Sequence, residues 1–334
     1  MDSEALGRLD ASVHHGSRDD PGVLDFSANT NPHTPDGVAG VYGSALAAAG
    51  SYPDDGYPEY GRAAADAVGC APGEVVPTPG GLAAIRLAVA SAVTSGDTAL
   101  VPAPSFGEYA REVRLQGGEP VFHAHDEVLG ADPAGHALAV VCNPNNPTGE
   151  TYPAERLRTF ADRCRAAGTV LLVDEAFLGF ADGPSMAGEE GVVVARSLTK
   201  LYGLPGLRAG YAVATGELGD RLRTARPTWA LGTPAAAVGA HCLRQEAFVA
   251  ATRERVRAER DRMRERLGAR FDVSPSDAPF LLLSVPDVEG VQREVRAAEI
   301  AVRDARTFRG LDSHVRVAVR TPAENDRLLG ALDV

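Results

Sequence analysis

Five short apolar runs through the middle of the chain constrain its fold more than any other feature. They lie in "DTALVPAPSF" (97–106), "HALAVVCNPNNPTG" (136–149), "GTVLLVDEAF" (168–177), "GVVVARSLTK" (191–200) and "RAGYAVAT" (208–215). None alternates apolar with polar residues, so each reads as a strand buried on both faces. Between several of them lie stretches of helical period. In "AERLRTFADRCRAAG" (154–168), Leu157, Phe160, Ala161 and Cys164 share one face. Strand–helix alternation predicts an α/β fold, a mostly parallel central sheet with helices on both faces. Ligands of open α/β sheets sit beyond the carboxyl ends of the strands. The polar signatures "NPNNPTG", "DEAF" and "SLTK" follow the strands directly. Three segments are therefore expected to converge on one crevice.

After about residue 240 the texture changes. "FVAATRERVRAERDRMRERLGARF" (248–271) reads as one long helix, with Phe248, Val256, Met263 and Leu267 along one face. Its arginines are interleaved with glutamates, which makes a salt-bridged solvent face rather than a nucleic-acid helix. "PFLLLSVPD" and "HVRVAVRTP" follow as strands separated by a helical segment. The expected organisation is a large domain over 46–240 and a smaller α+β domain over 241–334. An N-terminal arm, 1–45, has too little apolar content to fold alone and is expected to pack with the small domain.

The formal charge of −12 disfavours nucleic acid as a partner. No apolar run reaches membrane-spanning length, and the start "MDSEALGRLD" is polar and acidic, which predicts neither a secretory signal nor an anchor. Cys70, Cys142, Cys164 and Cys242 form no C-x-x-C pair, so neither a metal site nor a disulfide framework is expected. Thiols of this kind suit a reducing cytoplasm. The acidic, lysine-poor composition fits a high-salt organism and fits GC-rich codon usage equally well.

Of 33 basic residues only Lys200 is lysine. A chain that uses arginine everywhere else keeps one primary amine, and arginine cannot deprotonate to attack a carbonyl. Ser197 and Arg208 flank it in the pattern S-x-x-K-x7-R, where a hydroxyl and a guanidinium can bind one phosphate. Asp174 ends an apolar strand in "LLVDEAF" and needs a partner there. A pyridinium nitrogen would supply one; capping of the next turn is the alternative. "PTPGGLAAIRLAVASA" (77–92) is a glycine turn entering an apolar helix, whose free N–H groups can hold a phosphate. Phe106, in "PAPSFGEY", can stack on a flat ring or be ordinary core.

Together "NNPTG", "DEA" and "SLTK…GLRAGY" resemble, in order and spacing, the fold-type I pyridoxal-phosphate enzymes, the aspartate-aminotransferase superfamily. The resemblance runs over nearly the whole chain. It implies pyridoxal 5'-phosphate held covalently by Lys200, with Asp174 on the pyridine nitrogen and Asn146 on the ring oxygen. It puts the cofactor phosphate on Ser197, Arg208 and the Gly80–Gly81–Leu82 turn, and Phe106 on the ring. Tyr52 is similar to the tyrosine that reaches the phosphate of the partner subunit, which implies a homodimer.

Within the superfamily the chain resembles two families, the histidinol-phosphate aminotransferases and the threonine-phosphate decarboxylases of the cobalamin pathway. "HHGS" with "LDFSANTNP", Phe177 in "VDEAF", and Arg320 in "VRVAVRTPAENDRLLGAL" lean to the decarboxylases. Period-two alternation in "HVRVAVR" sends Val315, Val317 and Val319 to one face and Arg316, Ala318 and Arg320 to the other. By the resemblance, Arg316 binds the substrate carboxylate and Arg303 its phosphate. Asn29 and Arg320 are further substrate residues, and His15 and Gly16 close over the phosphate. A non-catalytic cofactor-binding regulator is disfavoured, since no basic helix-turn-helix segment precedes the fold.

Overall fold

A computed structural model gives the architecture and describes residues 1–10, 12–13, 20 and 22–334. The chain extends first as β1 (Leu24–Asp25) and then builds a seven-stranded sheet. Its strands are β2 (Val75–Thr78), β3 (Thr98–Ala103), β4 (Glu119–Ala124), β5 (Leu138–Cys142), β6 (Val170–Asp174), β7 (Val192–Ser197) and β8 (Gly210–Val213). They lie in the order β2-β8-β7-β6-β5-β3-β4. Strands β7, β6, β5, β3 and β4 are mutually parallel, while β8 runs antiparallel to both neighbours.

The apolar runs behave as buried central strands: all five residues of β5 are buried. Alternate residues feed two cores. Val140, Leu172, Val193 and Ala195 pack under the helix Gly81–Ala92. Val141, Val173 and Val194 face the other way, into a core continuous with the small domain through Phe177 and Phe280. The edge strand β4 carries Glu119 and His123 and is only half-buried, as an edge tolerates.

The small domain places β12 (Arg303–Asp304), β13 (His314–Ala318), β10 (Phe280–Ser284) and β9 (Asp272–Val273) in one antiparallel sheet. β11 (Ile300–Ala301) pairs in parallel with β1. The long helix, Glu246–Leu267, buries Val256, Met263 and Leu267 against this sheet. No helix among the described residues is long and apolar enough to cross a membrane.

The N-terminal arm differs from expectation. Among its described residues, those from Asp20 to Asn31 join the small domain. The first helix, Ser3–Arg8, docks on Glu108–Leu115, with the Asp2 amide donating to the Leu115 carbonyl at 2.8 Å. The helix Val38–Ala47 packs on Thr233–Leu243 of the large domain. Both expected boundaries, at 45 and 240, fall inside these helices. Short amphipathic pieces carry no local signal for which distant surface they cover.

Candidate active site

Register brings the polar signatures together. In the sheet Cys142 stands beside Asp174, and Asp174 beside Ala195, so the loops after β5, β6 and β7 leave from one line. They open into a cavity of about 320 Å³ lined by Lys200, Asp174, Asn146, Ser197, Arg208 and Phe106 among others. Gly81, Leu82, Asn29, Arg303 and Arg316 also line it. Gly80 stands just behind, against Arg208.

Lys200 lies in a one-turn helix, Leu198–Leu201, whose N-cap is Ser197; the Thr199 amide donates to Ser197 Oγ at 3.3 Å. Burial pulls the Lys200 amine down to about 8, helped by the like charges of Arg316 and Arg208. At pH 7 about a tenth of it is then neutral, far more than of an ordinary lysine, and the neutral form is the one a nucleophilic amine requires. Asp174 is buried at the end of β6, and burial raises its pKa. Its Oδ2 accepts from Tyr109 Oη at 2.6 Å and its Oδ1 from the Ala176 amide at 2.9 Å. The next residue, Glu175, instead pairs with Arg196 at 2.8 Å and accepts from the Met186 amide.

The corner expected to take a phosphate is built by close backbone approach. Gly80 has φ +93°, and a Cβ there would lie 2.7 Å from Arg208 Nη2. A Cβ on Gly81 would lie 3.0 Å from Ser197 Cβ. The first N–H groups of the helix Gly81–Ala92 have no intrahelical acceptor and a positive dipole end behind them. Arg208 itself adopts φ +53°, a sparsely populated conformation that turns its side chain to this corner.

On the opposite wall Arg303 and Arg316 are register partners across β12 and β13. Arg316 is buried, donating to Asn146 Oδ1 and to the Ser27 carbonyl, and lies over the rings of Phe280 and Phe308. Arg303 donates to Thr307 Oγ1 at 2.8 Å. Burial opposes the charge of both guanidinium groups, and so does Arg303 that of Arg316. Asn29 is buried with an unpartnered Oδ1.

Residues expected elsewhere complete the account. Arg320 is not among the lining residues. The strand period ends at Ala318, and Arg320 belongs to the start of the helix Pro322–Ala331, bonded to Glu324 Oε1 and to the Asp25 carbonyl. Tyr52 is exposed and stacks on Trp229 with ring centroids 4.1 Å apart, away from this chain's own cavity. His15 and Gly16 lie outside the described residues. Tyr109 was not anticipated; the signal available was an aromatic three residues after Phe106, on whose ring it packs edge-on.

These residues fit pyridoxal 5'-phosphate on the structure's own terms. A buried carboxylate of raised pKa is held by a neutral hydroxyl and a backbone amide, a glycine corner leaves room where a Cβ would collide, and a lysine of lowered pKa lines the same cavity.

Comparison with known proteins agrees. The profile of the family "Aminotransferase class I and II" matches residues 23–332. Histidinol-phosphate aminotransferase 1 of Archaeoglobus fulgidus is 29% identical, over 93% of this chain and 98% of its own. Threonine-phosphate decarboxylase of Salmonella typhimurium is 32% identical, over 93% and 90%. The crystal structure of L-threonine-O-3-phosphate decarboxylase from Porphyromonas gingivalis shares the fold, with TM-score 0.84 at 23% identity over 93% of this chain and 98% of that one. So does histidinol-phosphate aminotransferase from Sinorhizobium meliloti in complex with pyridoxal-5'-phosphate, with TM-score 0.81 at 21% identity over 93% and 89%.

Proposed function

Since the chain belongs to the aminotransferase class I and II family and takes pyridoxal 5'-phosphate as cofactor, we propose that it decarboxylates L-threonine O-3-phosphate. The product is (R)-1-amino-2-propanol O-2-phosphate, the amino-alcohol unit of the cobalamin nucleotide loop. The observation that carries this reading is the facing pair Arg303 and Arg316 in the cavity of Lys200. Two buried cations in register on one cavity wall suit a small substrate that bears both a phosphate and a carboxylate.

Lys200 would hold the cofactor covalently, with its phosphate on Ser197, Arg208 and the amides of Gly81 and Leu82. Asp174 would pair with the ring nitrogen, which offsets the cost of burying its charge. Asn146, whose Oδ1 takes Arg316, keeps its Nδ2 for the ring oxygen, and Phe106 covers a face of the ring. Bound there, the cofactor supplies an electron sink for the bond broken at the substrate Cα. The protein decides which bond that is. Arg316 fixes the carboxylate and Arg303 the phosphate, and two fixed points set the rotation about Cα. Lys200 Nζ, in the same cavity, would be the group that returns a proton to Cα. The working unit we take to be a cytoplasmic homodimer, with Tyr52 reaching the partner's cofactor phosphate.

A paired assay tests the reading. Threonine phosphate should release CO2, and histidinol phosphate with 2-oxoglutarate should give no keto product. The reverse pattern would make the protein a histidinol-phosphate aminotransferase.

A further inference from the structure

The helix that carries Lys200 is a single turn. One turn has no stability of its own, because nucleation costs more than its few hydrogen bonds return. Its last carbonyls also lack intrahelical partners. Both deficits are met by one residue far away in sequence. The Asn31 amide donates to the Lys200 carbonyl at 2.9 Å, and Asn31 Nδ2 donates to the Leu201 carbonyl at 2.8 Å. Asn31 is buried, and its Nδ2 also reaches Thr252 Oγ1 at 3.3 Å. Its Oδ1 accepts from Arg255 Nη2 at 2.8 Å.

Arg255 and Thr252 belong to the long helix Glu246–Leu267. Arg255 gives its other hydrogen bond to the Arg320 carbonyl at 2.9 Å. Burial opposes its charge, as does Arg320, while Glu259 and Glu324 favour it. A partly buried guanidinium directed at two neutral oxygens is costly unless it holds something in place. The same arm is gripped twice more from the small domain, at the Asp25 carbonyl by Arg320 and at the Ser27 carbonyl by Arg316. Contact behind the lysine is backbone on backbone: a Cβ on Gly203 would lie 2.5 Å from the His33 carbonyl oxygen and 2.7 Å from that of Asn31.

We propose that Asn31 and Arg255 are positioning residues for Lys200, through which the long helix of the small domain fixes the turn that presents the lysine amine. The proposal rests on Lys200 holding the cofactor, not on which substrate bond is broken.

The full chain reconstituted with pyridoxal 5'-phosphate provides the test. The visible absorbance of the lysine-bound cofactor is titrated with pH, beside kcat and KM. Arg255→Met should move the titration midpoint by more than about half a pH unit. It should lower kcat about tenfold while KM stays within about twofold. Arg257→Met alters an exposed arginine of the same helix and should change none of these. Asn31→Ala keeps the amide bond to the Lys200 carbonyl but loses the side-chain links, and should behave like Arg255→Met. It decides the matter if Arg255→Met fails to fold. Folded variants with wild-type midpoint and kcat would overturn the proposal. Absorbance that survives Lys200→Ala would instead overturn the cofactor role of Lys200 itself.

Discussion

Lys200 stands among Arg316 and Arg208, and those neighbours, after burial, set its chemistry. An isolated lysine is protonated throughout the neutral range; this one reaches half-protonation at about 8. Only the neutral amine captures an aldehyde, so capture by the apoprotein should follow that titration. Its rate should rise about tenfold per pH unit below pH 8 and level off above it. Stopped-flow absorbance after mixing with the cofactor measures this, and a profile flat from pH 6 to 8 would contradict the burial argument. Lys200→Arg should show no capture at any pH. The sole lysine was legible in the sequence because composition isolates it. Tyr109 was not, because its bond to Asp174 spans 65 positions and only the packed helix creates it.

The elements that hold the phosphate corner meet without side chains between them. A Cβ on Gly210, the first residue of β8, would lie 2.6 Å from the Arg196 carbonyl oxygen, 2.7 Å from the Gly80 carbonyl carbon and 2.8 Å from the Gly81 nitrogen. All three are backbone atoms, which cannot swing aside. Gly210→Ala must therefore push β7, β8 and the helix Gly81–Ala92 apart. The expected cost is about 1–3 kcal/mol of stability, with cofactor affinity falling at least about tenfold. Gly206→Ala, where a Cβ meets nothing within 4 Å, is the matched control. Denaturant melts and cofactor titration of both variants check the contrast. The glycine turn itself could be read from "PTPGG", since a turn before an apolar run is a local pattern. Gly210 offered no such cue, because only the folded sheet shows what stands opposite it. The same limit hid Arg320: alternation in "HVRVAVR" is sound through Ala318, but the strand stops there and a helix cap takes over.

At the scale of the molecule, the strands and the crevice were legible because buried parallel strands write themselves as unbroken apolar runs. The docking of the arm was not, because each piece of it covers a surface more than a hundred positions away. Tyr52 poses the same problem one level higher. It is 77% exposed, and Tyr42, Leu46 and Trp229 are also large apolar residues open to solvent. If Tyr52 is to contact cofactor phosphate as proposed, it must do so across an interface, since it does not line its own chain's cavity. Tyr52→Ala should therefore lose activity, as should Lys200→Ala, for different reasons. Co-expressed, the two variants form hybrid dimers in which one site joins an intact Lys200 to the partner's intact tyrosine. The other site of each hybrid lacks both. Random pairing makes half the dimers hybrid, each with one good site of two, so about a quarter of wild-type activity should return. The activity of the mixture against its separately purified parents measures this. Activity equal to the mean of the parents would mean that each chain completes its own site, and Tyr52 would then leave the cofactor contacts.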